Sequence, residues 1–147
     1  MPPTNWLAIL ISTFIPMIVG FIYYHDKVFG KAWMDTLGWT KDSMPKVNMG
    51  KVLIICLIMS FLLSMFILIN VDGPGQEGKY DSFKHGAGHG IILTFFVAMP
   101  LMVINGLFER KNFKYLAIHI LYWLITLVLM GGTIDALNHW PADMPAM

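Results

Sequence analysis

The chain alternates long apolar stretches with short polar connections. A bilayer core of about 30 Å requires about 20 helical residues, and four stretches with almost no charge reach that length. They cover residues 5–24, 52–71, 86–108 and 115–137. Because they take up more than half of the chain, little is left for a separate extramembrane domain. The pattern predicts an all-α membrane protein, in which residues 1–147 form one domain built as a bundle of four transmembrane helices.

The composition excludes two other classes of protein. Of the 147 residues, 56% are apolar or aromatic and 13% are charged, and the mean hydropathy is +0.63, which excludes a soluble globular domain. The formal net charge of +1 provides no basic field for a nucleic acid. We therefore expect lipid, and no nucleic acid, around this chain.

The basic residues predict the orientation of the four spans. Eight of the ten Lys and Arg residues lie at the first and third connections, and short cytoplasmic loops are enriched in such residues. The expected topology places both termini outside and these two connections inside. The eight residues are Lys27, Lys31, Lys41, Lys46, Lys51, Arg110, Lys111 and Lys114, whereas Lys79 and Lys84 fall on the opposite side.

Two further features concern the arrangement of the helices. Apolar and aromatic residues recur with helical spacing from Phe29 to Trp39, which predicts a short interfacial helix in the first cytoplasmic loop. Pro16 and Pro100 lie 84 residues apart in the first and third spans. This offset is compatible with a 2+2 repeat, in which two helix pairs are related by an axis along the membrane normal.

Histidine and aspartate form a candidate metal site at the outer side. His85 and His89 are four residues apart, as are Asp135 and His139, so each pair would share a helix face. These four nitrogen and oxygen ligands could hold a divalent metal such as zinc. Two alternatives stay open: the histidines make ordinary interfacial hydrogen bonds, or the glycine-rich segment 85–90 delays the helix until after His89 and removes the spacing.

No other cofactor is predicted. A membrane b-type haem needs two facing histidines at one depth, and the nearest pair, His25 and His119, differs in depth by more than a helical turn. Sequence motifs for a nucleophile elbow, a phosphate-binding loop or a Cys-x-x-Cys pair do not occur. The sequence therefore favours a protein that is not an enzyme.

Several segments resemble the family catalogued as domain of unknown function 1761. They include residues 5–8 (Asn-Trp-Leu-Ala), 28–34 (Val-Phe-Gly-Lys-Ala-Trp-Met) and 105–110 (Asn-Gly-Leu-Phe-Glu-Arg). The resemblance implies a four-helix protein of the bacterial inner membrane, so that the outer side would be the periplasm, and it implies no particular activity. The motifs and the polar residues within the spans supply these functional candidates: Lys31, Trp33, Asn105, Glu109 and His119.

The leading functional interpretation is a non-catalytic subunit or accessory factor of a membrane assembly, or a homo-oligomer. Stripes of small residues on three of the four spans offer more packing surface than one bundle needs. A small transporter or channel is an alternative, with a path lined by Asp135, His119 or Asn105. A further alternative is an enzyme that acts on a lipid or quinone at the cytoplasmic interface through Lys31, Asn105 and Glu109.

Overall fold

The protein is described by a computed structural model that covers residues 4–73 and 80–139. Four of its helical segments are long and apolar enough to cross a membrane, as predicted, and the third consists of α4, a π-helical turn and α5. The elements in chain order are α1 (Trp6–Tyr23), a π-helical turn (Asp26–Gly30), α2 (Lys31–Leu37), α3 (Met49–Val71), α4 (Phe83–Leu93), a second π-helical turn (Thr94–Ala98), α5 (Met99–Phe108) and α6 (Phe113–Leu137).

Three of the spans begin two or three residues before their predicted starts, because polar side chains cap them. The side chain of Asn48 accepts a hydrogen bond from the Lys51 backbone N–H at 3.1 Å. Ser82 does the same for α4 at 3.3 Å, and Asn112 for α6 at 2.8 Å. Such caps satisfy backbone donors that have no partner inside the helix. Since α4 starts at Phe83, the spacing of His85 and His89 is helical.

Helix α6 lies at the centre of the bundle and packs against α1, α3 and α4. One apolar core joins the four spans and contains Ile9, Ile67, Met130 and Ile134, each at most 1% exposed. We call the end where α1 and α4 begin and α3 and α6 end the acidic end. The opposite end, which carries the eight basic residues named above, is the basic end. Lys79 lies outside the described residues.

Most members of the stripes of small residues pack inside the bundle, whereas Cys56, on the second span, is exposed. Ser12, Ser60, Ser64, Gly86, Gly90, Thr94 and Gly106 are all buried. Ser64 donates to the Ser60 carbonyl at 2.9 Å and Thr94 donates to the Gly90 carbonyl at 2.8 Å, which is how hydroxyl groups are satisfied within apolar helices. These stripes therefore form contacts between spans of one chain.

Glycine determines how closely α4 and α6 approach. A Cβ added at Gly86 would overlap the carbonyl oxygen of Gly131, and one added at Gly90 would overlap the carbonyl of Leu127. Contact of two helix backbones at small residues is the usual way in which membrane helices associate. One turn beyond Gly131, this approach brings Asp135 against α4.

The predicted helix in the first connection is present as α2. Aromatic rings connect it to the end of α1: the ring centroids of Tyr24 and Trp33 are 5.4 Å apart, and those of Trp33 and Trp39 are 5.8 Å apart. Asp26, in the preceding π-helical turn, forms an ion pair with Lys41. The aromatic residues of this connection thus pack largely against the bundle itself.

The two prolines occupy different local structures. Helix α1 continues through Pro16, whereas Pro100 lies in the first turn of α5, directly after a π-helical turn. Pro100 is tolerated there because the π-helical turn changes the hydrogen-bond pattern ahead of it. The internal duplication stays a prediction.

Candidate functional site

Hydrogen bonds at the acidic end link α1, α3 and α6. The side chain of Asn138, which is 1% exposed, accepts from the Asn5 backbone N–H at 2.6 Å and donates to Oδ2 of Asp72 at 2.7 Å. Asn5 also donates through its side chain to the Leu137 carbonyl at 2.7 Å. This buried amide fixes the ends of three spans around one polar cluster.

The cluster contains a chain of three side chains from α4 and α6. Nδ1 of His85 lies 2.8 Å from Oδ2 of Asp135, and Nε2 of His85 lies 3.3 Å from Nε2 of His89. Asp135 is 1% exposed, and the ring of Tyr80 stacks on His85 with centroids 5.1 Å apart. His85 is therefore fixed between a buried carboxylate and a second imidazole.

Three carboxylates converge beside this chain. Asp72, Asp81 and Asp135 each place one oxygen within 4.8 Å of the others. Asp72 is 4% exposed, and burial raises the pKa of its carboxyl group to about 6. Its Oδ1 has no hydrogen-bond partner in the part of the chain that the structure covers. His139 lies at the edge, with Nδ1 3.5 Å from Oδ2 of Asp81.

The structure brings together three of the four predicted metal ligands, but not around one point. His85 and His89 converge through their Nε2 atoms, whereas Asp135 contacts the opposite nitrogen of His85. His139 contacts Asp81 instead of the histidine pair. Asp72, Asp81 and Asn138 were not predicted as site residues from the sequence. Only Asp72 could have been identified from the sequence, because it directly follows the second span and is expected at the same membrane depth as Asp135.

An open cleft of about 420 Å³ adjoins the histidine pair. Besides His85 and His89, it is lined by Tyr80, Ser82, Lys84, Gly88 and Ile92. The face of the two imidazoles that is not occupied by Asp135 is thus accessible to a small ligand.

The basic end holds the candidate His119. The hydroxyl of Tyr24 lies 2.9 Å from Nδ1 of His119, and the ring of Tyr115 lies 4.2 Å from the His119 ring. The Tyr24 hydroxyl donates to the imidazole when Nδ1 carries no proton and accepts from it when Nδ1 is protonated. Nε2 of His119 is buried and lacks a partner among the described residues.

The other candidates at the basic end are spread over its surface. Trp33 packs between Tyr24 and Trp39, while Lys31, Asn105 and Glu109 are exposed. Among the described residues, no hydrogen bond or ion pair joins Lys31 or Trp33 to Asn105 or Glu109. Their functional role stays a prediction.

The two histidines considered for haem have separate local partners. Nδ1 of His25 accepts a hydrogen bond from the Lys27 backbone N–H at 3.2 Å, as the cap of the first π-helical turn. Nδ1 of His119 is occupied by Tyr24.

The fold and the cluster define a helical membrane protein with four spans and a polar site at one end. The chain belongs to the family described as Protein of unknown function (DUF1761), whose model matches residues 7–134. Comparison with curated proteins and with solved structures gave no match. Because the family description includes no activity, the function has to be inferred from the residues of the site.

Proposed function

We propose that this chain is a membrane accessory protein that binds a divalent transition-metal ion, such as zinc, at its acidic end. The observation that carries this function is the convergence of two imidazole nitrogens, Nε2 of His85 and Nε2 of His89, at 3.3 Å. Both belong to α4 and point to one place beside the cleft. A small bundle with one metal-binding end would hold or deliver the ion for a larger assembly or a homo-oligomer.

The separation of the two nitrogens matches that of two ligands on one ion. Zinc binds histidine nitrogen at about 2.0–2.1 Å with tetrahedral geometry, so two such ligands lie about 3.3–3.4 Å apart. In the structure the two rings share a hydrogen bond over this distance. The same separation suits two nitrogen ligands of one zinc ion, so the ion could replace the shared proton with little movement of the rings.

Asp135 sets the protonation of His85 in the form that a metal requires. A carboxylate beside Nδ1 accepts the proton of that nitrogen, which leaves the lone pair of the neutral ring on Nε2. Histidine ligands commonly donate their second N–H to a carboxylate, which fixes the ring and raises its basicity. Asp135 acts here as an orienting residue and not as a ligand.

The remaining coordination positions face the cleft. The two histidines fill two of the four coordination positions of a tetrahedral ion. Water or an external ligand can bind at the other two. The cleft of about 420 Å³ has room for that ligand. An accessible ion of this kind suits exchange with a partner better than a purely structural role.

The distribution of basic residues indicates on which side of the membrane the ion would bind. Their accumulation at the basic end favours a cytoplasmic position for that end, so the acidic end would face the periplasm of a bacterial inner membrane. The ion would then come from outside the cytoplasm.

Zinc titration of the purified protein tests this function. After EDTA treatment in detergent, calorimetry with ZnCl₂ is expected to detect one ion per chain that depends on the histidine pair. His85→Ala and His89→Ala should each weaken binding by more than about 100-fold, beyond the roughly 10–100-fold loss that removal of an orienting partner causes.

His139→Ala and His25→Ala are the matched controls, because neither side chain contacts the pair. Both should bind zinc as the wild type does. If the wild type binds no zinc, or if His139→Ala loses as much affinity as His89→Ala, the proposed site is wrong.

A further inference from the structure

We infer that Asp72, Asp81 and Asp135 form a second cation site beside the histidine pair, with Asp135 in contact with both, which takes a hard divalent cation of the Ca²⁺ type. One oxygen of each carboxylate lies within 4.8 Å of the other two. Ca²⁺ binds oxygen at about 2.3–2.6 Å, so oxygens on one ion lie at most about 4.6–5.2 Å apart. A single ion can therefore contact all three residues with little rearrangement.

The second observation is a buried oxygen that lacks a partner. Asp72 is 4% exposed, and Asn138 occupies only its Oδ2. Its Oδ1 accepts no hydrogen bond from any residue within 4–73 or 80–139. Buried carboxylate oxygens in native proteins are normally hydrogen-bonded, ion-paired or bound to a metal, and a cation would satisfy this one.

The surrounding charge also favours a cation. Neither Asp72 nor Asp135 forms an ion pair with lysine or arginine in the described part of the chain. His85 lies against Asp135, and His139 lies against Asp81. A divalent ion would compensate the charge of the two buried carboxylates, Asp72 and Asp135.

The ligand chemistry selects the type of ion. All three residues offer carboxylate oxygen, which suits hard cations, whereas zinc prefers nitrogen and sulfur. Ca²⁺ accepts flexible geometry, while Mg²⁺ demands a near-ideal octahedron and usually keeps several waters. The ligands come from the end of α3, the segment before α4, and α6. The ion would therefore bind the folded bundle and tie these elements together.

Thermal unfolding in detergent with added CaCl₂ tests this site. An ion that binds only the folded state raises the Tm in a concentration-dependent way. We expect Ca²⁺ to raise the Tm of the EDTA-treated wild type by several degrees, and MgCl₂ at the same concentration to raise it less. Asp72→Asn and Asp81→Asn should abolish the Ca²⁺-induced shift, and Asp35→Asn, an exposed carboxylate on α2, should keep it.

The variants separate this site from the zinc site. His89→Ala is expected to lose zinc binding and to keep the Ca²⁺ shift, whereas Asp72→Asn should do the reverse. If Asp72→Asn does not fold, as judged by gel filtration, the more accessible Asp81→Asn decides alone. A wild type that does not respond to Ca²⁺, a larger response to Mg²⁺, or an unchanged response in Asp81→Asn would overturn the inference.

Discussion

Among the described residues of the acidic end, Asp135 and Asp72 are the two most deeply buried carboxylates, and they have different partners. The imidazole of His85 lies 2.8 Å from a carboxylate oxygen of Asp135. Asp72 has one amide donor, Asn138, and one oxygen without a partner among the described residues. Because a buried charge is stable only when it is paired, bound to a metal or neutralised by a proton, the two residues should respond differently to the same substitution.

For Asp135, we expect the substitution by asparagine to weaken zinc binding. The amide can still contact Nδ1 of His85, but it has no charge to fix the proton there and to raise the basicity of Nε2. Loss of such an orienting carboxylate usually costs about 10–100-fold in metal affinity. Calorimetry with ZnCl₂ measures the change. Asp35→Asn, which removes an exposed carboxylate on α2, should leave the affinity close to that of the wild type. Equal losses in both variants would contradict the orienting role.

For Asp72, the raised pKa predicts that stability falls as the pH rises. Burial is the main cause, reinforced by the charges of Asp135 and Asp81 and opposed by the Asn138 hydrogen bond and by His85. The folded-state pKa of about 6 lies above the unfolded value of about 3.9. The contribution is therefore fully present below about pH 4 and is lost as the pH rises through 6, with a size on the order of 2 kcal/mol.

The measurement for Asp72 is a comparison of the wild type with Asp72→Asn in EDTA. Between pH 4 and pH 7, the free energy of unfolding of the wild type should fall by about 2 kcal/mol relative to that of Asp72→Asn. A difference that does not change with pH would show that Asp72 does not titrate in this range.

The contact between α4 and α6 determines whether the site can assemble. Gly86 and Gly131 touch through their backbones, and a Cβ added at Gly86 would also lie 2.6 Å from Cβ of Asp135. Such a group would separate the helices next to the His85–Asp135 contact. The geometry of the site therefore depends on Gly86, a residue without a side chain.

Gly86→Ala should destabilise the bundle by about 1–3 kcal/mol, the usual cost of overpacking, and should weaken zinc binding. Gly88→Ala is the matched control: it is in the same helix, it has no atom within 4 Å of the added Cβ, and alanine favours a helix by about 0.5–1 kcal/mol over glycine. Unfolding in SDS and calorimetry with ZnCl₂ measure the two effects. Equal stability of the two variants would mean that α4 and α6 do not approach through Gly86.

Elements built from long apolar runs could be predicted from the sequence, whereas the contacts at their ends could not. The length of each run identifies a span, and the spacing of four residues places His85 and His89 on one face. The starts of the helices depend on caps such as Ser82. Asp72, Asp81 and Asp135 converge because of the way in which the ends of three elements meet. The pattern of apolar and polar residues along the chain contains no information about that arrangement.

For the whole molecule, the two ends differ in charge and in chemistry. The acidic end contains buried carboxylates and two imidazoles that line an open cleft. The basic end contains lysine, arginine and packed aromatic rings. The central position of α6 connects them, since His119 and Asp135 both belong to this helix. Both candidate ion sites lie at the same end, so the side of the membrane that this end faces decides which compartment supplies the ions.

Cysteine labelling tests that orientation. In a Cys56→Ala background, His139→Cys marks the acidic end, and Val47→Cys, at an exposed position before α3, marks the basic end. Because the basic residues favour a cytoplasmic basic end, a membrane-impermeant maleimide added to intact cells should label position 139. Position 47 should react only after the membrane has been permeabilised. Labelling of position 47 alone in intact cells would place both ion sites in the cytoplasm, where free Ca²⁺ and zinc are scarce, and would leave the histidine pair as a site loaded by a partner protein.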